Sequence, residues 1–129
     1  MILVDTSVWI EAFRLPPALD VERLIDFDEI VTCLPVIQEV LQGFSDERAF
    51  RVAREAMLAL PLIENPMSDG LFLEAVDLHR SARRAGITVR SSIDCLIAAC
   101  ALRHDLEVLH RDRDYTNLAR LGRLRQRRV

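Results

Sequence analysis

Met1-Ile2-Leu3-Val4-Asp5-Thr6-Ser7-Val8-Trp9-Ile10 is an apolar run of four, a cluster of three helix-capping residues, and a second apolar run. Four apolar residues are too few for a helix and suit a strand buried on both faces. Asp, Thr and Ser accept backbone N–H groups at a helix start. Val8, Trp9, Ile10, Ala12 and Phe13 then predict a short apolar helix, which ends before Pro16-Pro17. A buried strand that runs directly into a helix is the opening of a parallel sheet.

The same punctuation recurs along the chain. Ile30-Val31-Thr32-Cys33-Leu34 reads as a second buried strand, with Pro35 where a first helical turn tolerates it. Ile37, Val40, Leu41 and Phe44 follow helical spacing, and Gly43 marks the end. Another helix starts at Ser45-Asp46-Glu47, with Phe50, Ala53, Met57 and Leu58 on one face. Leu60 to Ile63, bounded by Pro61 and Pro66, is a candidate third strand. A long helical pattern (Leu71, Ala75, Leu78, Ala82) runs from Ser68 to Gly86. Ser91-Ser92-Ile93-Asp94 resembles a capping box with Asp as its acid. Cys95 to Leu102 is apolar on every side, which predicts a helix buried all round. Glu107 to His110 is a short strand, and a last helix is expected from about Asp114 to Leu121. Strands alternating with helices specify an α/β fold, a parallel sheet covered on both faces, in a single domain of residues 1–129.

Composition agrees with a globular domain. Half of the 129 residues are apolar and 29% are charged, and a chain of this length buries roughly two-thirds of its unfolded surface. The apolar N-terminus has no basic leader and is interrupted by Asp5 and Glu11, so neither a signal peptide nor a membrane span is expected. Cys33, Cys95 and Cys100 lie in apolar runs without ligand spacing and read as reduced core residues of a cytoplasmic protein. The net charge is −3, yet every basic side chain is Arg, and Arg120, Arg123, Arg125, Arg127 and Arg128 close the sequence without an acid. Arginine's planar fork suits phosphate; a solvated tail, or a face for an acidic partner, is the alternative.

Four acids fall at corresponding places. Asp5 ends the first strand, Glu39 lies in a mainly apolar helix, Asp94 opens the buried helix, and Asp112 follows the late strand. In open parallel sheets, the carboxyl ends of strands and the starts of the next helices meet along one edge. Carboxylates gathered there repel one another unless cations hold them, and hard oxygen ligands suit Mg²⁺ or Mn²⁺. Each acid also has a structural use: Asp5 as an N-cap, Asp94 in a capping box, Asp112 in a turn. No Ser-His-Asp or Cys-His grouping offers a rival nucleophile, since His79, His104 and His110 are at unrelated spacings.

These residues carry a resemblance. The opening decapeptide, Pro35 to Gly43 around Glu39, Ser92-Ile-Asp-Cys-Leu-Ile-Ala-Ala-Cys-Ala101, and Leu109-His-Arg-Asp-Arg-Asp-Tyr115 are similar to the four acidic segments of PIN-domain nucleases of the VapC toxin type. Order, spacing and length agree across nearly the whole chain. The resemblance implies a three-layer α/β/α sandwich around a parallel sheet of about four or five strands. It also implies a Mg²⁺- or Mn²⁺-dependent endoribonuclease in which Asp5, Glu39, Asp94 and Asp112 bind metal. Thr6 matches the hydroxyl residue that supports the first acid, Asp114 is an auxiliary candidate, and Tyr115 stands where Phe is commoner. Homodimerisation, an RNA substrate and inhibition by a cognate VapB-type antitoxin are implied as well.

The expected chemistry is hydrolysis of an RNA phosphodiester by metal-activated water. Two other readings use the same acids without turnover. One is a phosphate-accepting regulatory module, which would need a Lys beside its acids where this chain has none. The other is a degenerate PIN scaffold, against which stands the retention of all four acids. Trp9 and Phe13 are expected in the core, with a dimer or antitoxin surface as the alternative.

Overall fold

The computed structural model describes residues 1–129. Four strands, β1 (Ile2–Val4), β2 (Ile30–Val31), β3 (Glu107–His110) and β4 (Gln126–Arg128), form one sheet in the order β2-β1-β3-β4, and every pairing is parallel. The helices are α1 (Thr6–Phe13), α2 (Val21–Leu24), α3 (Leu34–Gln42), α4 (Glu47–Leu58), α5 (Asp69–Arg84), α6 (Ser92–Arg103) and α7 (Arg113–Ala119).

Successive strand residues point to opposite faces, yet Leu3 and Val4, Ile30 and Val31, and Val108 and Leu109 are all buried. Both faces of the sheet are therefore covered, the three-layer arrangement expected. The short apolar runs are strands because only a doubly covered sheet can bury them whole. Helix α6 is buried from Asp94 through Ala101 and belongs to the same core cluster as the strands. Trp9 is buried and stacks on Phe13 with ring centroids 5.9 Å apart, a core role. The cysteines are buried and free.

Four local expectations need correction. Leu60–Ile63 makes a single parallel bridge, Thr32 with Leu62, and no strand. Pro61 supplies only a carbonyl, to Thr32 N, and Glu64 turns the chain at φ 53°. Ser91 gives α6 no side-chain cap, so the capping box does not form; Asp94 turns inward instead. On α4, Ala53 and Met57 are buried, but Leu58 is half exposed. The arginine-rich end is no free tail: it contains β4, whose Arg127 pairs with Glu107 at 3.1 Å, while Arg125 pairs with Asp105 at 3.4 Å.

Candidate active site

The central strands β1 and β3 deliver their chain ends side by side, and Asp5 N donates to Leu109 O at 2.9 Å. Asp5 is almost fully buried and caps α1. Its Oδ2 accepts from Ser7 N at 2.9 Å and Ser7 Oγ at 2.5 Å, and its Oδ1 accepts from Tyr115 Oη at 2.6 Å. Ser7 Oγ in turn accepts from Arg111 N at 2.9 Å, tying the start of α1 to the loop after β3. Thr6 donates its hydroxyl to Glu39 Oε1 at 3.0 Å, so α1 also orients the acid carried by α3.

The opposite wall is the start of α7. Asp112 caps this helix through Asp114 N at 2.9 Å, and Asp112 N donates to His110 Nδ1 at 3.1 Å. His110 is fully buried, with Nε2 on Gln126 Oε1 of β4, and its ring packs 5.1 Å from Tyr115. Because Nδ1 accepts, Nε2 carries the proton in this arrangement. Asp114 is buried too. Its carboxylate accepts Arg90 N at 3.1 and 3.2 Å and Ser91 N at 2.9 Å, so α7 holds the backbone just ahead of α6.

Asp94 sits between these walls. Oxygens of Asp94, Asp112 and Asp114 lie within 4.8 Å of one another. Oδ1 of Asp94 accepts from Tyr115 Oη at 3.3 Å, and Oδ2 is buried with no hydrogen-bond partner. Burial, the adjoining Asp114 carboxylate, and the charges of Asp5 and Asp112 push Asp94 up to about 9. Burial likewise raises Glu39, against the pull of the Thr6 hydrogen bond and with the charges of Asp5 and Asp112 adding to it. Asp114 goes the other way. Burial opposes its ionisation, but the adjoining Asp94 carboxyl and hydrogen bonds from the N–H groups of Arg90 and Ser91 hold it below the usual range. Burial and the charges of Asp5 and Asp94 keep the Tyr115 phenol protonated well above its ordinary value.

Of the residues singled out in the sequence, Asp94, Asp112 and Asp114 form the close carboxylate group, while Asp5 joins it through Tyr115 and Glu39 is held beside Asp5 by Thr6. Sequence reasoning missed Ser7 and the hydroxyl of Tyr115, and it set His110 aside only as a nucleophile. The polar atom that distinguishes Tyr from Phe, one and three residues after two acids, was the available signal. An all-carboxylate set with an orphaned buried oxygen fits a hard divalent cation: protonating or metallating Asp94 are the two ways to relieve it. The closeness of Asp94 and Asp114 makes the first available through a shared proton, and the second would release that proton.

Residues 2–121 match the PIN domain family. The chain belongs to the PIN-domain family. This PIN domain is 40% identical over 130 residues to VapC ribonuclease Mb1587 of Mycobacterium bovis, with 96% of each chain covered. It is as similar to Ribonuclease VapC11 of Mycobacterium tuberculosis (strain ATCC 25618 / H37Rv), with the same coverage. Among solved structures, VapBC2 from Rickettsia felis, bound to a DNA fragment from their promoter, superposes with a TM-score of 0.78. The two chains are 17% identical over 100% of this one and 99% of the other, a likeness of fold.

Proposed function

We propose that this PIN domain, acting as one unit over residues 1–129, is a metal-dependent endoribonuclease and the toxin of a toxin–antitoxin pair. Its VapC relatives are named ribonucleases. The observation that carries the metal dependence is Asp94 Oδ2, buried and unpaired among acids from two other segments, the end of β1 and the start of α7. Asp5, Glu39, Asp94 and Asp112 are the residues that would hold Mg²⁺ or Mn²⁺. A bound ion supplies Lewis acidity, making water a better nucleophile and offsetting charge on the scissile phosphate.

The chain's own groups divide the remaining work. Ser7 and Tyr115 fix Asp5, and Thr6 fixes Glu39. Asp114 has backbone donors on both oxygens, so it serves the start of α6 and supports Asp94. Asp112 uses Oδ1 for its cap and keeps Oδ2 available, which favours Asp112 as the fourth ligand. Hydrolysis without the RNA 2′-hydroxyl as nucleophile leaves 5′-phosphate and 3′-hydroxyl ends. The similarity to VapC proteins also supports a homodimer and an antitoxin of the VapB type as partners. No helix is long and apolar enough to cross a membrane.

The test is RNA cleavage with Mn²⁺ and with EDTA, by the native protein and by Asp5→Asn and Asp94→Asn. Cleavage is expected only for the native protein with Mn²⁺. EDTA-resistant cleavage, or full activity in both variants, overturns the proposal.

A further inference from the structure

Tyr115 is the only tyrosine in the chain, it is fully buried, and its hydroxyl is the one side-chain donor that reaches two of the acids. It lies 2.6 Å from Asp5 Oδ1 and 3.3 Å from Asp94 Oδ1, residues far apart in the sequence. We propose that the Tyr115 hydroxyl is a positioning residue of the metal site, tethering Asp5 and Asp94 to one buried point and so setting the affinity for the divalent cation. The proposal rests on the metal-dependent reading above.

The argument is one of lone pairs. A carboxylate has about four acceptor positions. Asp5 spends two on Ser7 and one on Tyr115, which leaves it a single free direction, on Oδ1. Asp94 has no other hydrogen-bonded donor, so Tyr115 alone determines which of its oxygens stays open, and that is Oδ2. The phenol is itself held. Its ring packs on His110, and His110 is locked by Asp112 N on one side and Gln126 on the other. A chain of contacts therefore runs from β4 through His110 and Tyr115 to the two acids. Donors that orient ligands in this way typically matter about 10- to 100-fold in metal affinity or activity.

Full-length native protein, Tyr115→Phe and Asp94→Asn are titrated with Mn²⁺, bound ion being read by calorimetry and by loss of the free-ion paramagnetic resonance signal. Tyr115→Phe removes one oxygen and keeps the ring, and its Mn²⁺ affinity is expected to fall about ten-fold or more. Asp94→Asn should bind far more weakly still. RNA cleavage by Tyr115→Phe should recover toward the native rate as Mn²⁺ is raised, a rescue that a damaged fold would not show. In the native protein, Mn²⁺ should also produce a tyrosine difference band in the near ultraviolet, assignable to Tyr115 because there is no other tyrosine. Affinity in Tyr115→Phe within about two-fold of native, with Asp94→Asn impaired, overturns the positioning role and leaves the metal site standing. Equal affinity in all three proteins overturns both. Absence of the tyrosine band in native protein that binds Mn²⁺ overturns the positioning role even if the Phe variant does not fold.

Discussion

Asp94 carries the sharpest electrostatic conflict in the molecule, and its sign can be worked out. A carboxyl raised to about 9 from an ordinary 3.8 keeps its proton in the folded chain while the unfolded chain has lost its own. Between those values the native state binds the extra proton, so stability falls as pH rises. Asp114 is shifted in the opposite sense, and its contribution changes only at and below its ordinary value, outside the window from pH 5.5 to 8. In EDTA, the denaturation midpoint of the native protein is therefore expected to drop between those pH values. Asp94→Asn supplies a permanent N–H donor in place of the titrating proton and should flatten that dependence. An unchanged slope in the variant would show that the cost lies elsewhere. Its neighbours offer a second contrast. Asp114→Ala strips acceptors from the N–H groups of Arg90 and Ser91 and is expected to cost about 1–3 kcal/mol. Asp112→Ala loses one helix cap, about 1 kcal/mol, but should lose Mn²⁺ binding as well. Urea melts and a metal titration on the two variants separate clamp from ligand; equal effects on both measures would refuse that division.

Helix α6 shows what a sequence pattern can and cannot convey about an element. Its unbroken apolar run predicted burial on all sides, and Asp94 through Ala101 are indeed buried. Ile97 is fully enclosed, so Ile97→Ala should leave a cavity and cost about 2–5 kcal/mol, whereas Ile93→Ala, at a partly exposed position, should cost far less. Comparable melting temperatures for the two variants would contradict the packing described. Strands β1, β2 and β3 were legible for the same reason, since burial on both faces forces continuous apolar runs. Strand β4 was not. Gln126-Arg127-Arg128 has no apolar residue to announce it, and it is held by backbone pairing and by ion pairs to Glu107 and Asp105. The capping box misled for a related reason. A local motif assigned Asp94 to its own helix start, but a carboxylate from α7 takes the Ser91 N–H that a capping-box acid would bind, and Asp94 is directed to Tyr115. The four acids could be placed at one sheet edge from sequence because topology alone brings them there. The donors that orient them come from segments up to 110 residues apart and needed the tertiary structure.

At the scale of the whole molecule, a chain of net charge −3 with an acidic centre must still hold a polyanion if it cuts RNA. The structure redistributes the arginines available for this. Arg125 and Arg127 already serve acids of the protein itself, which reduces the case for the C-terminal cluster as a phosphate track. Removing residues 122–129 would also take away β4 and the buried Leu124, so single substitutions are the cleaner probe. Arg90 and Arg113 are better placed. Both are exposed, neither makes an ion pair, and their backbones flank the acids, Arg90 through its N–H on Asp114 and Arg113 between Asp112 and Asp114. Exposed guanidinium groups beside a carboxylate cluster can take the phosphates next to the one being cleaved while the acids keep their ion. Binding of a short single-stranded RNA, followed by anisotropy in EDTA so that it is not cut, should therefore weaken with salt. Arg90→Ala and Arg113→Ala should each lower affinity and reduce the slope of log K against log salt by about 0.7, the value for one phosphate contact on a single strand. Arg125→Ala should leave the slope unchanged, because its charge is committed to Asp105. If Arg125→Ala reduces the slope as much as Arg90→Ala does, RNA runs along the β4 edge instead, and the acids are approached from that side.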